Sequence, residues 1–303
     1  MLQFKTVTLC DKAWVDEIVF AEGSRSADYN FGNIYIWDKA FRQLVCRYGE
    51  RMLTKLRYEG HPSFAFPIGT GELRPAIEAL REYAREKGYP FRLHGVTEEH
   101  KAMLEREYPG AFEYTDDTDY FDYIYSAQKL ATYSGKALHS KKNHCNRFEA
   151  ENDWRFVPLT REHIPGCLDM LDIWTEENSE RLEKSISAEH DAIIRAFAAY
   201  ERLGLEGGVL YIGERIVGFT VGEMVNADTF DVHFEKAEGS INGAYPMVCR
   251  ELARMLLSKH PSLLYLNRED DMGLEPLRFS KQSYKPEYLL KKYTALWVAE
   301  EDA

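Results

Sequence analysis

The chain has 303 residues, 45% hydrophobic and 29% charged, the balance of a globular protein long enough for two cores of about 150 residues each. Its net charge of −12, from 38 Lys and Arg against 50 Asp and Glu, excludes a general affinity for nucleic acid or anionic membrane, so an anionic partner must be met by a local basic patch. Five scattered cysteines, Cys10, Cys46, Cys145, Cys167 and Cys249, form no CxxC pair, which favours reduced thiols in a cytoplasm over a structural zinc site.

Met1 to Lys5 lacks the apolar run of a signal peptide, and no uncharged apolar stretch reaches membrane-spanning length. A soluble, cytoplasmic chain without a transmembrane segment is expected. Asp11 to Phe20 reads as a short helix capped by Asp11, with Trp14, Val15, Ile18 and Val19 as its apolar stripe and Gly23 beyond its end. Tyr29 to Trp37 is unusually aromatic and either closes a core or lines a cleft, core being the plainer reading. Leu44 to Arg47 and Met52 to Tyr58, joined through Gly49-Glu50, predict a hairpin, and Ser63 to Phe66 a further strand. Gly69-Thr70-Gly71 leads into a helix, Leu73 to Lys87, stopped by Gly88. Phe91 to His94, Glu98 to Tyr108 and Tyr120 to Tyr125 follow as strand, helix and strand.

Gly135 to Arg147 is the densest basic segment of an acidic chain, with Lys136, Lys141, Lys142 and Arg147 beside His139 and His144. It predicts a basic linker helix over 134–152, between domains at 1–133 and 153–303. Such a run is either a solvated face or a landing strip for a phosphate-bearing partner. The histidine next to Cys145 has no second ligand pair nearby, so no metal is expected.

In the second half, Thr160 to Glu177 and Ser187 to Leu203 read as helices opened by Thr160 and Ser187, with Trp174 and Phe197 on their apolar stripes. Gly208 to Gly213 and Ile216 to Val225 form a hairpin around Gly213-Glu214-Arg215. Thr229 to Phe234 alternates as a strand, and a polar loop carrying Gly239 and Gly243 runs into a helix, Tyr245 to Lys259. Pro246 falls in its first turn, where the missing N–H costs nothing. Such a loop points backbone N–H groups and the positive end of a helix dipole at one spot, which suits an anion; an ordinary strand-to-helix turn is the plainer alternative. Leu263 to Leu266, Leu274 to Lys281 and Tyr288 to Val298 close the chain as strand, helix and strand.

The halves share one order: hairpin, strand, glycine loop, helix, strand, helix, strand. Ser63–Phe66 answers to Thr229–Phe234, Gly69–Pro75 to Gly239–Pro246, and Tyr120–Tyr125 to Tyr288–Val298. The pattern predicts a duplicated α+β chain with two mixed, mostly antiparallel sheets flanked by helices.

That order resembles the GNAT acyltransferase core, in which the loop cradles the pyrophosphate of an acyl-coenzyme A. The loop here, Glu238 to Ala244, lacks the usual arginine or glutamine and the tight glycine spacing. A doubled GNAT chain without that signature is similar to aminoacyl-tRNA-dependent transferases. More specifically, Asn33-Ile34-Tyr35-Ile36-Trp37, Leu138 to His144, His233 to Ala237 and above all Asn267-Arg268-Glu269-Asp270-Asp271-Met272-Gly273-Leu274-Glu275-Pro276-Leu277-Arg278 carry a resemblance to the C-terminal domain family of phosphatidylglycerol lysyltransferase and its soluble bacterial relatives. No counterpart of the synthase's membrane-embedded flippase portion is evident, which leaves the lipid substrate open.

The resemblance implies a transferase that needs no bound cofactor. It takes an aminoacyl group from charged tRNA, or an acyl group from acyl-coenzyme A, and passes it to a small amine or hydroxyl acceptor or a lipid headgroup. Such transfer needs a base, oxyanion donors and an acid. Glu235 or Glu269 is the expected base or amine-binding carboxylate, and Tyr284 the acid. His233, Lys236, Asn242, Gly243, Asn267, Arg268, Asp270, Arg278 and Lys281 are expected to bind substrate, with Lys136, Lys141, Lys142 and Arg147 meeting tRNA or phosphate. Alanine at Glu235 or Lys281 is then expected to abolish transfer with little change in melting temperature. Two other classes remain: a coenzyme A-dependent N-acetyltransferase, and a non-catalytic protein that binds tRNA or a lipid headgroup.

Overall fold

The structure, a computed structural model, describes residues 2–58, 60–116, 118–178 and 183–299. The first half supplies β1 (Lys5–Thr6), β2 (Leu44–Tyr48), β3 (Arg51–Tyr58), β4 (His61–Ala65), β5 (Ile68–Gly69), β6 (Arg92–Thr97) and β7 (Phe112–Asp116). Then come β8 (Asp122–Ser126), β9 (Trp154–Pro158), β10 (Glu206–Ile212), β11 (Arg215–Met224), β12 (Thr229–Ala237), β13 (Tyr265–Asn267), β14 (Tyr288–Leu290) and β15 (Lys292–Trp297). Among the described residues they build two sheets. One runs β1-β2-β3-β4-β6-β15-β7 with β5 beside β3, the other β14-β8-β13-β12-β11-β10-β9. Two compact units result, residues 1–122 with 290–303, and residues 123–289.

Each sheet contains a parallel pair, β4 with β6 and β12 with β13. A parallel pair needs a crossover, and the helices Leu73–Lys87 and Ala244–Lys259 supply it. In the first unit, Leu73, Ala76, Ile77, Leu80 and Ala84 form the buried stripe of that helix, and Gly88 ends it at φ 68°. The aromatic stretch is core: Tyr29, Phe31, Ile34 and Ile36 are buried, and Asn30 caps the short helix Phe31–Ile36 by accepting from the Asn33 N–H at 2.7 Å. Asp11, expected as a cap, instead binds the Thr8 N–H, the Trp14 indole N–H and Lys5, which fastens the turn before the helix. These donors overcome burial and lower its pKa to about 2.

In the second unit the helix Ala244–Lys259 buries Met247, Val248, Leu252 and Leu256 together with Leu130, Phe148, Leu210 and Val217, each large side chain contributing about 1.5–3 kcal/mol. The basic segment forms a helix, His139–Glu151, within this unit. The helix expected from Ser187 begins earlier, at Glu183.

The last strand departs from expectation. Tyr288 to Val298 reads as one strand of its own half, yet Lys291 breaks it into β14 and β15, which join different sheets. β15 lies between β6 and β7, and β8 takes the matching place between β13 and β14. The two halves have traded one strand each. Local alternation specifies that a segment is a strand; which sheet it joins depends on distant edges.

Candidate active site

β12 and β13 pair over three residues only, Thr229–Asp231 with Tyr265–Asn267, while β12 runs on to Ala237. The strands therefore part, and the chain leaving β13 folds back along the β12 residues beyond the split. The β11–β12 ladder slips between Val221 and Gly222, so a bulge at His233 interrupts the alternation: Asp231 stands opposite Glu223, and Glu235, opposite Thr220, turns to the other face of β12. The buried Asn267 side chain accepts from the Glu269 N–H at 2.7 Å and stabilises Glu269 in the left-handed region at φ 56°, a conformation costly for a non-glycine residue. Two rungs result: Arg268 donates to Glu235 at 2.7 Å, and Glu269 meets His233 Nδ1 at 3.2 Å. Lys281 Nζ holds the turn by donating to the backbone oxygens of Arg268 and Asp270. Arg278 makes two 2.8 Å bonds to Asp271, which also accepts from the Tyr123 hydroxyl at 2.6 Å. Asp270 closes its own turn on the Met272 N–H at 3.0 Å.

Glu235 sits among cations. Burial raises its pKa, opposed by Arg268, Lys141 and Lys281, so its carboxylate is a stronger base than an exposed one. Burial pulls the Arg268 pKa down, but Glu235 and the neighbouring thiol and phenols hold it well above the ordinary value. Arg268 Nη1 is buried with no hydrogen-bond partner among the described residues, a cationic donor without its acceptor. The Tyr284 ring, itself buried, carries Arg268 at 4.6 Å and Lys141 at 3.8 Å from its centroid. Burial, Cys249 and Glu235 push its phenol well up, so it stays protonated and can donate.

Lys141 connects this cluster to a pocket of about 340 Å³, lined by the loop Gly239–Gly243, His144 and Tyr245 at the start of the helix Ala244–Lys259. His144 Nδ1 and Asn242 Oδ1 close one side at 2.7 Å. The loop needs its glycine: Gly243 has φ 89°, and a Cβ there would lie 2.6 Å from the His144 carbonyl oxygen. Gly243→Ala is accordingly expected to destabilise the protein by about 1–3 kcal/mol. Urea denaturation measures the loss; an unchanged midpoint would mean that helix His139–Glu151 yields freely. The matching loop of the first unit is filled from within. Buried Arg51 donates to the carbonyls of Pro67, Gly71 and Glu72 at 2.5, 2.8 and 3.2 Å, so that loop turns oxygens inward to a cation.

His233 is enclosed by carboxylates. Nε2 faces Glu223 at 3.2 Å, and Nδ1 faces Glu269 at 3.2 Å and Asp231 at 3.5 Å. Burial opposes its charge, yet the hydrogen bonds to Glu223 and Glu269 and the Asp231 charge raise its pKa well above the ordinary value. Donor atoms of Asp231, His233 and Glu269 lie within 4.8 Å of one another and could hold a metal ion. A doubly protonated ring satisfies the same positions.

The structure thus gathers Glu235, Arg268, Tyr284, Lys281, Lys141, Glu269 and His233, with Asn242 and Gly243 at the adjoining pocket. Lys236, next along β12, points elsewhere: it pairs with Glu189 at 2.7 Å and lies 3.5 Å from the Trp174 ring centroid. Burial lowers its pKa against the pull of Glu189. Lys136, Lys142 and Arg147 are exposed, Arg147 reaching Glu151 at 2.7 Å. Asn267, Asp270 and Arg278 shape the turn. Asp231 and Glu223 are additions; Asp231-Val232-His233-Phe234-Glu235 alternates polar residues in sequence, but the bulge at His233 turns Glu235 to the other face from Asp231. Glu189 and Trp174 arrive from distant helices, and no local pattern announces them.

Two mixed sheets with this repeated order, flanked by helices, make the chain an α+β protein of tandem GNAT-like type. Residues 20–296 match the family model for the C-terminal region of phosphatidylglycerol lysyltransferase, and the chain belongs to that family. A conserved protein of unknown function from Bacteroides thetaiotaomicron is similar in structure, with a TM-score of 0.92 at 34% identity over 98% of this chain and 100% of that one. L-PGS from Bacillus licheniformis shares the fold at 15% identity, with a TM-score of 0.66 over 98% of this chain and 94% of the other. An uncharacterised protein of Mycoplasmoides gallisepticum is 29% identical over 175 residues, 57% of this chain and 54% of that protein, so the match spans about half of its length. No helix among the described residues is long and apolar enough to cross a membrane.

Proposed function

We propose that the second unit transfers an aminoacyl group, esterified to tRNA, onto the amine or hydroxyl of a small molecule or lipid headgroup. The observation that carries this reading is the Glu235–Arg268 pair, set at the split between β12 and β13 and joined through Lys141 to a loop suited to phosphate. Glu235 takes the acceptor's proton, which its raised pKa favours. Arg268, with a donor still unsatisfied, steadies the oxyanion, aided by the Asn242 and Gly243 N–H groups. Tyr284, kept as a phenol, protonates the leaving oxygen. Glu269 binds the amine of the transferred group, and Lys136, Lys142 and Arg147 offer the surrounding charge that tRNA needs in an acidic protein.

Incubation with mixed radiolabelled aminoacyl-tRNAs and a panel of amines tests the proposal. The expected result is loss of tRNA-bound label with a mass-shifted acceptor, and a drop of about 10²-fold or more in Glu235→Gln. Glutamine is the appropriate replacement, because Glu235 and Lys281 are both bonded into the site and alanine at either would disturb folding as well as chemistry, contrary to the expectation from sequence. Salt-sensitive tRNA binding without product would instead favour a binding protein. The Gly239–Gly243 loop at a helix N-terminus favours a second reading, acyl-coenzyme A as donor, for which calorimetric titration with acetyl-coenzyme A is the test.

A further inference from the structure

Lys141 differs from the other lysines of its segment. It projects from helix His139–Glu151 into the loop pocket, half-buried, whereas Lys142 beside it is exposed. Its ammonium has neither an ion pair nor a hydrogen bond among the described residues; its recorded contact is the Tyr284 ring, 3.8 Å away. Arg268 lies against the same ring at 4.6 Å. Both cations, with Lys281 as a third, face one nearby carboxylate, Glu235, and Arg268 holds that carboxylate at 2.7 Å. The other groups acting on Lys141 supply no charge: Cys249 and Cys145 are buried thiols, with pKa values raised to about 11 and about 12. A guanidinium cannot shed its proton, so the strain of like charges is relieved at Lys141. Burial first, and Arg268 second, lower its pKa. Lys236, also depressed, is different, because Glu189 neutralises it and helices Ile164–Asn178 and Glu183–Ala198 supply its partners.

We propose that Lys141 is an acyl-accepting modification site, a reactive amine whose Nζ attacks the carbonyl of a small thioester entering the loop pocket. The nitrogen lone pair forms the new N–C bond, the C–S bond breaks with its electrons leaving on sulfur, and the amine proton passes to the thiolate through water. The products are an amide at Lys141 and a free thiol. The amide carries no charge, so the pocket loses the one cation that its own wall contributes without a partner.

The test uses the intact protein and S-acetyl-N-acetylcysteamine, a thioester without a nucleotide, followed by digestion and quantitative mass spectrometry. At pH 7.5 Lys141 is expected to acetylate several-fold faster than Lys142, because its larger share of free amine outweighs the lower nucleophilicity of a less basic nitrogen. Its rate should level off at a lower pH than that of Lys142. Arg268→Gln should bring the two rates together; if that variant does not fold, the comparison within the wild-type protein still decides. Labelling of Lys141 no faster than Lys142, or with the same pH profile, overturns the proposal. The labelling involves no tRNA, acceptor or turnover, so its failure leaves the proposed transfer reaction standing, and absence of transfer leaves Lys141 testable.

Discussion

Arg268→Ala is expected to destabilise the second unit by about 3–5 kcal/mol, because it strands a buried carboxylate, and to abolish the proposed transfer at the same time. Glu235 is buried and takes its charge partner from the turn after β13. Losing the guanidinium leaves it either charged in a poor solvent or protonated, and a protonated Glu235 is no longer a base. Urea denaturation and circular dichroism separate the two losses. Replacing both partners by apolar residues, Glu235→Leu with Arg268→Met, should recover much of the stability and none of the activity, since removing a buried pair together costs far less than breaking it. A single-variant loss below about 1 kcal/mol would place the pair in the class of exposed ion pairs and remove the reason for the raised basicity of Glu235.

His233→Gln should produce a second large loss, of about 3–5 kcal/mol at neutral pH, with a distinctive pH dependence. A histidine whose folded pKa lies above its unfolded value adds stability that is complete below the unfolded value, near 6.5, and is lost as pH rises through the folded one. The wild-type protein should therefore keep this contribution through neutrality and lose it only in the alkaline range. In the variant, Glu223, Asp231 and Glu269 face one another without the imidazolium. Its deficit should shrink on acidification as those carboxylates protonate. Stability measured from pH 5 into the alkaline range checks the sign; a deficit that does not fall as pH rises through the alkaline range would mean that the ring is neutral in the native state.

The elements were legible because their causes are local. Leu73–Lys87 has an apolar stripe and a glycine stop, Glu98–Glu107 a threonine cap, and the hairpin β10–β11 a glycine turn. The cluster of Glu235, Arg268 and Lys281 was also legible, since acids and bases following a buried strand must gather where that strand ends. Three features were not. The exchange of β8 and β15 depends on edges about a hundred residues or more away in sequence, which no periodicity encodes. The bonding of Lys281 to two backbone oxygens, in place of a phosphate, follows from a turn whose left-handed residue is Glu269 and not glycine. The filling of Gly69–Gly71 by Arg51 turns two similar loops into unlike ones, and Arg51 belongs to a strand with no sequence sign of that role.

The most direct measurement is a crystal structure of the protein with a non-hydrolysable aminoacyl-adenosine amide, a mimic of the charged tRNA end. The amide carbonyl is expected within about 3 Å of the Arg268 guanidinium, between β12 and the turn after β13, with the adenosine directed to the Gly239–Gly243 loop. A ligand seated against the Gly69–Gly71 loop, or elsewhere with Glu235 and Arg268 untouched, would contradict it.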